Sequence, residues 1–329
     1  MTGVPLDTRV ALLRQHGTFS QAYNATFQPG LEHFGDERGF VAYKKVWGTA
    51  MVLSNPMAPR EHLGDLITRF LRDHSNVAFW EIARPVAEIL APMGFFINEM
   101  GPNNWIDLAT YDFSGNGKQN MRRAHNRMLK GGYTISESSI GEVGENQVKA
   151  VSETWRRRHT VHNREVSFLS RPFVIGEESD VRTFFAFDPG GKLVAFAVLD
   201  PIYDNGQVAG YVTQHNRQLP DTDSLVQYAI KRFVIEKFQA EGKRWFSLGL
   251  SPFAYIEDKD FLPHKNWLIR RLFRLAYENA LLNRFFFPVK HLCEHKRQFR
   301  ASTEQTYLAF NKPPSLLHIF RLGRACNVI

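Results

Sequence analysis

Cysteine is scarce in this chain: Cys293 and Cys326 are the only two in 329 residues. Two such thiols make neither a disulfide framework nor a cysteine-based metal site, which fits a reducing cytoplasm. No apolar run approaches the roughly 20 residues that a membrane-spanning helix requires. The most tempting stretch, Val77 to Ile97, carries Glu81, Arg84 and Glu88 and is broken by Pro85 and Pro92. The first residues lack the basic-then-apolar order of a secretion signal. Several chemistries also lack their signatures. There is no P-loop, no G-x-G-x-x-G after a strand, no H-E-x-x-H and no G-x-S-x-G. Nucleotide hydrolysis, Rossmann dinucleotide chemistry and the common hydrolase mechanisms therefore lose support. His159 and His162 imitate a metal pair but have no further ligands at suitable spacing, so they read as surface histidines and no metal is expected.

What is abundant is positive charge and phenylalanine. The net charge is +8, and 27 Phe raise the aromatic share to 13%. A basic surface concentrates polyanions, so RNA, anionic lipid head groups and phosphorylated ligands become favoured partners; a merely basic soluble enzyme would carry the same charge. A chain this long exceeds one ordinary core, so two lobes are expected.

The patterning predicts α/β (α+β) architecture in two similar halves. In the first, Gly39–Leu53 reads as a bent or paired strand, and Pro59–His74 as a helix with Leu63, Leu66, Ile67, Phe70 and Leu71 in one stripe. Strand Val77–Ile82, helix Arg84–Pro92 ended by Gly94, and strand Phe95–Leu108 follow. In the second, strands Val181–Phe187 and Lys192–Leu199 flank a hairpin signal at Asp188-Pro-Gly-Gly191, and Val208–Gln214 is a third strand. Asp221-Thr-Asp-Ser supplies N-cap chemistry for a helix ending near Gly242. Strand Trp245–Leu250 and helix Asn266–Asn283 complete the repeat. The shared order suggests duplication, with halves at 1–142 and 143–312 meeting in the polar stretch Gly141–Asn146. A basic amphipathic tail, 313–329, would lie on an anionic membrane or on the protein's own surface.

The segment Asp112–Gly132 is the most distinctive. Ser114 reads as an N-cap, and Arg123, Arg127 and Lys130 fall on one helical face, a row able to neutralise phosphates or simply to be solvated. Trp155-Arg156-Arg157-Arg158 adds a second basic cluster with a stacking aromatic.

This segment resembles lysylphosphatidylglycerol synthases, in which a "DL…FSL.G" phrase leads into a helix with R-x-x-x-N-R and a glycine-aromatic end. Ile106-Asp107-Leu108, Phe113-Ser114-Gly115, Arg122, Asn126-Arg127 and Gly132-Tyr133 stand at those places. The likeness continues through Glu165-Val-Ser-Phe-Leu, Lys192-Leu-Val-Ala-Phe and Trp245-Phe-Ser-Leu-Gly-Leu-Ser251-Pro252. It closes on Leu292-Cys-Glu-His-Lys-Arg-Gln-Phe299 and Tyr307-Leu-Ala-Phe310, spanning about residues 35 to 312. The resemblance implies two tandem acetyltransferase-like (GNAT) halves, with mixed central sheets flanked by helices. It also implies transfer of an aminoacyl group from aminoacyl-tRNA to a lipid hydroxyl, with a basic tRNA-facing surface and an acceptor tunnel between the halves. On that pattern Arg122, Arg123, Asn126, Arg127, Lys130, Arg156 and Arg157 are candidate tRNA or phosphate contacts, and Glu165 and Ser251 candidate substrate contacts.

A CoA-dependent acetyltransferase cradles pyrophosphate on a Gly-rich loop. The corresponding segment here, Gln214–Asp223, contains no glycine, so acyl-CoA is disfavoured and no cofactor is expected. The lipid-modifying members carry Asp-Leu-Met-Arg before this segment; here Tyr211 and Gln214 replace the acidic and basic members. Only Lys296 of two closing lysines remains, because Gln298 replaces the other. The amino acid, the acceptor and activity itself are thereby left open. Tyr211 and His215 are candidate acceptor-side proton handlers or ordinary strand-end residues. Lys296 is a candidate positive group near the ester, Arg217 a second phosphate contact, and Gln214 a substrate contact. Glu257 and Asp258 could position an amino group or start a helix.

The expected function is an aminoacyltransferase moving an aminoacyl group from aminoacyl-tRNA to a phosphatidylglycerol-like lipid or a small-molecule hydroxyl or amine. It would act in the cytoplasm or on the inner face of the membrane, without DNA. An acyl-thioester-dependent transferase and a non-catalytic RNA- or membrane-binding module are the alternatives.

Overall fold

The computed structural model describes residues 3–159, 163–257, 259–279, 283 and 289–329. The first half supplies strands β1 (Glu32–Asp36), β2 (Gly39–Val46), β3 (Thr49–Leu53), β4 (Val77–Ile82) and β5 (Phe96–Asp107). The second supplies β6 (Thr134–Glu137), β7 (Arg182–Phe187), β8 (Leu193–Asp204), β9 (Gln207–Gln218), β10 (Trp245–Leu250) and β11 (Ser302–Phe310). The two sheets implied by the halves are one sheet, ordered β1-β2-β3-β4-β11-β5-β10-β9-β8-β7-β6. The last strand thus lies inside the first half, antiparallel to both β4 and β5.

Helices cover both faces because the strands alternate apolar residues to each side. In the first half, Val41, Val52, Val77 and Phe79 meet α3 (Leu63–Asp73) and α4 (Arg84–Leu90). The expected stripe of α3 is real: Leu63, Leu66, Ile67 and Phe70 are buried, each side chain contributing about 1.5–3 kcal/mol. Ala42, Met51, Ala78 and Trp80 look the other way, toward α1 (Leu6–His16) and α2 (Ala22–Phe27). The same core takes Ile269 and Phe273 of α9 (Trp267–Glu278), whose N-cap is Asn266.

In the second half, Phe184, Ala195 and Leu199 pack on α5 (Gln119–Lys130) and α8 (Val226–Ala240). Phe185, Phe196 and Val198 pack on α7 (Glu145–His159). Gly39–Leu53 is a hairpin, turned at Trp47 and Gly48. The stretch read as a polar link is helical: α6 (Ile140–Val143) carries a Ser139–Glu142 capping box, and Glu145 opens α7. Nor does Asp221-Thr-Asp-Ser224 cap α8 directly, since Asp223 instead accepts from Leu225 N in the turn before the helix.

Two helices close the chain, α10 (Val289–Arg297) and α11 (Leu316–Ala325). In α11, His318, Arg321, Leu322 and Ala325 are buried, and Arg321 donates to Trp47 O at 3.0 Å. Leu316, Leu317 and Phe320 remain exposed, as does Trp47. The tail therefore docks on its own protein by one side and leaves an apolar side outward.

Candidate functional site at the seam of the sheet

The halves join where β5, β10 and β9 meet. β10 runs parallel to β9 only over Trp245–Ser247 against Gly210–Val212, and no pairing continues beyond. Two lysines reach this opening from helices. Lys231 of α8 donates from Nζ to Asn216 Oδ1 at 2.8 Å, and Lys296 of α10 to Leu250 O at 2.5 Å. Both are buried. Burial and the neighbouring Lys296 charge lower Lys231 to about 7. Burial lowers Lys296 to about 8, with Cys293 and Glu81 pulling the other way. Ammonium groups held this close to neutral pH can both give and take protons.

Backbone geometry makes room for them. Gly249 has φ +77°, and a Cβ there would stand 3.6 Å from Lys296 Nζ. Gly101, at φ +127°, lets β5 touch the chain after β10; a Cβ would meet Ser251 O at 2.2 Å. Asn104 Nδ2 fixes the end of β10 by donating to Gly249 O and Ser251 Oγ, both at 2.9 Å.

Glu81 approaches from the first half. The β4–β11 register jumps between Tyr307 and Ala309, and the extra residue on β4 is accommodated with Glu81 at φ +54°. A non-glycine residue in that region is strained, and such strain clusters at functional sites. A line of amides ends on its carboxylate. Gln28 donates to Asn24, Asn24 to Gln21 and Gln21 to Glu81 Oε2, each at 2.7 Å. Oε1 has no partner, nor does Oδ1 of Asn103, the neighbouring amide that meets the Glu81 carboxyl. Burial accordingly raises this carboxyl to about 8, against Gln21, Lys296 and Asn103.

Because its pKa is raised in the folded state, Glu81 contributes stability that is complete below about 4.5 and lost as pH rises through about 8. Glu81→Gln keeps the protonated shape without titrating. The thermal midpoint of the wild type, measured against this variant, should therefore fall progressively across that window. A difference that does not change with pH would remove Glu81 from the account.

Tyr211 and His215 do not share a face. The β8–β9 register jumps between Leu199 opposite Thr213 and Val198 opposite His215, so Gln214 is a bulge that reverses the alternation. Tyr211 stacks on Phe238 at 4.7 Å beneath the Arg182 guanidinium, on the α8 side, and burial raises its hydroxyl. His215 meets Phe173 edge-on at 5.5 Å on the α7 side. Burial and the charges of Arg217 and Arg171 hold it neutral, and its Nε2 has no partner. Gln214 reaches Ser170 Oγ at 3.3 Å.

Arg217 and Glu165 bind each other, at 2.9 and 2.7 Å, with the guanidinium between Trp155 and Phe173. Arg156 adds a 3.3 Å bond to the same Glu165. Glu257 pairs through its side chain with Lys259 at 2.5 Å, and Asp258 lies outside the described residues. On α5, Arg122 turns back to the Phe113 and Gly115 carbonyls. Arg123, Asn126, Arg127 and Lys130 are exposed, Arg127 in a 2.8 Å pair with Asp223, and Arg157 is exposed on α7.

Lys231 and Glu81 were not singled out by the sequence reading. Lys231 had a signal, a cation beside the apolar stripe Val226, Ala229, Ile230 and Val234. Glu81 had one too, as a lone charge in an otherwise apolar strand. Among the described residues no cluster of His, Cys, Asp and Glu could hold a metal, and no helix is long and apolar enough to cross a membrane. His162 lies outside the described residues.

Residues 10–310 match the family model of the phosphatidylglycerol lysyltransferase C-terminal domain. The chain belongs to that family. A phosphatidylglycerol lysyltransferase of Bacillus subtilis is 21% identical over 289 residues, which are 85% of this chain and 32% of the relative. The chain thus spans about a third of the length of the curated relatives it matches. Its fold is that of L-PGS from Bacillus licheniformis, with a TM-score of 0.80 at 17% identity, covering 100% of this chain and 98% of the other. The C-terminal domain of a putative lysylphosphatidylglycerol synthetase from Agrobacterium fabrum has a TM-score of 0.75 at 16% identity, covering 98% and 95%.

Proposed function

We propose that this domain transfers an aminoacyl group from aminoacyl-tRNA to a hydroxyl of a phosphatidylglycerol-like lipid. The observation that carries the reading is the buried lysine pair at the seam of a chain from this family. The tRNA ester is already activated, so alignment, proton removal and oxyanion stabilisation are what the protein must add. The lipid oxygen attacks the ester carbonyl, and its proton passes to Lys231, whose ammonium form is disfavoured by burial and by the neighbouring Lys296 charge. The carbonyl oxygen becomes an oxyanion beside the Lys296 ammonium. When the bond to the terminal ribose oxygen breaks, the proton taken up by Lys231 goes to that oxygen, giving a free tRNA end and an aminoacyl lipid.

The exposed row Arg123, Arg127 and Lys130 supports an RNA donor. Arg123→Gln with Lys130→Gln should raise the KM for aminoacyl-tRNA several-fold, flatten its salt dependence and leave kcat unchanged; a loss of kcat alone would place these residues elsewhere. The outward Leu316, Leu317 and Phe320, flanked by Lys312 and Arg324, support contact with an anionic bilayer.

The deciding experiment follows labelled amino acid from charged tRNA into a lipid extract, with and without RNase. RNase-sensitive label in the organic phase establishes the reaction and names the amino acid. Its absence, with donor and lipid verified intact, refutes this reading.

A further inference from the structure

Glu81 ends a chain of side-chain amides that begins in the other half of the protein. Gln21, Asn24 and Gln28 stand three and four residues apart along α2 and its two caps, which puts them on one side of it. Phe168 N donates to Gln28 Oε1, and Gln28 Nε2 donates to Asn24 Oδ1. Asn24 Nδ2 donates to Gln21 Oε1, and Gln21 Nε2 to Glu81 Oε2. All four bonds point the same way. Backbone carbonyls fix that direction. Gln28 Nε2 and Asn24 Nδ2 both donate to Phe168 O, at 2.9 and 3.0 Å, and Gln21 Nε2 donates to Leu169 O at 3.0 Å. A backbone N–H only donates and a carbonyl only accepts, so turning one amide over would set oxygen against oxygen.

The segment that supplies these backbone groups is itself held. Phe168 is wholly buried at φ +64°. Ser167 donates from N to Cys326 O at 3.1 Å and from Oγ to Ala325 O at 2.8 Å, at the end of α11. Asn327 Nδ2 donates to Glu165 O at 3.1 Å. A donor aimed at a carboxyl favours its ionised form, and aligned amides polarise one another, so each bond strengthens the next. Glu81 faces the Gln21 and Asn103 amides and the Lys296 charge. Lys296 in turn faces Glu81, Cys293, Lys231 and His295. Glu81 is the one carboxyl in that set, so its charge decides how long Lys296 keeps its own as pH rises.

We propose that Gln21, Asn24 and Gln28 are positioning residues for the transfer reaction: their one-way amide chain, directed by Phe168 and Leu169, acts through Glu81 to keep Lys296 an ammonium. That Lys296 carries the reaction rests on the reading above; the chain and its end on Glu81 do not. Because the first donor comes from the second half and the carboxyl from the first, the chain exists only when the halves are joined.

The first readout needs no substrate. The Glu81 contribution to the thermal midpoint of the full chain is the difference between a protein and the same protein carrying Glu81→Gln, followed against pH. Gln21→Met keeps the side-chain length and removes the donor at Glu81 Oε2, so the folded carboxyl moves further up. The contribution, lost in the wild type as pH rises through about 8, should then be lost about one pH unit higher. Gln28→Met, three bonds away, should move the loss in the same direction by less. Asn24→Leu breaks the chain at its middle and gives an independent reading. A loss that stays in place in all three variants overturns the proposal. One that moves in Gln21→Met alone overturns the chain and leaves a single hydrogen bond. The second readout is the pH profile of single-turnover transfer. With Glu81 protonated to higher pH, Lys296 gives up its proton earlier, so the alkaline limb should move to lower pH while the acid limb, set by Lys231, stays. A uniform drop in rate at every pH would mean a structural role and overturns the effect on Lys296. Absence of transfer by the wild type, with the thermal readout moving as expected, refutes the reaction and leaves the chain standing.

Discussion

A Lys296→Met variant should lose at least about a hundredfold in transfer rate and keep its fold, on the scale of removing one oxyanion-stabilising group. Methionine preserves most of the apolar stem while deleting the ammonium that contacts Leu250 O. A buried charge is also replaced by an apolar group, so the thermal midpoint should hold or rise. Single-turnover rates with prebound aminoacyl-tRNA separate chemistry from donor affinity, which should change little. Lys296→Arg should not restore the rate, because the larger planar guanidinium cannot take the place of a compact ammonium held on Leu250 O beside Gly249. An unchanged single-turnover rate in the methionine variant would exclude Lys296 from the reaction.

The largest effect on stability is expected at Arg171. Its guanidinium joins Asp200 at 2.6 Å and Glu178 at 2.7 Å, and both Arg171 and Asp200 are almost wholly enclosed. Asp200 sits on β8, where burial pushes its carboxyl up and Arg171 pulls it down. Arg171→Met leaves that carboxylate unpaired, which should cost about 3–5 kcal/mol. Urea unfolding at pH 7 measures the loss. Adding Asp200→Leu should recover most of it, since the remaining burden is a desolvated charge rather than a missing contact. Failure of the double variant to recover would mean that Arg171 acts through shape, as a lid on Tyr23, whose ring lies 5.3 Å away.

Much of the fold was legible because period and burial agree. The α3 stripe, strand Val77–Ile82 and the start of a helix at Asn266 stand as expected. The candidate site was less legible, for two reasons. Spacing arguments assume unbroken alternation, and the bulge at Gln214 breaks it, separating Tyr211 from His215. The second reason is long-range pairing. No local signal says that Ser302–Phe310 returns between β4 and β5, or that this return bulges Glu81. Arg217 and Glu165 illustrate the same limit: 52 residues apart, they form a bidentate pair that neither segment announces.

The place of β11 has a consequence for how the protein is made. Every strand of the first half leaves the ribosome before the strand that belongs in its middle, with more than 190 residues intervening between β5 and β11. Until then β4 and β5 each present an unpaired apolar edge to the cell, the feature that invites association with other chains. The first half therefore waits for the second, and the site at their seam is assembled only when the chain threads its last strand home.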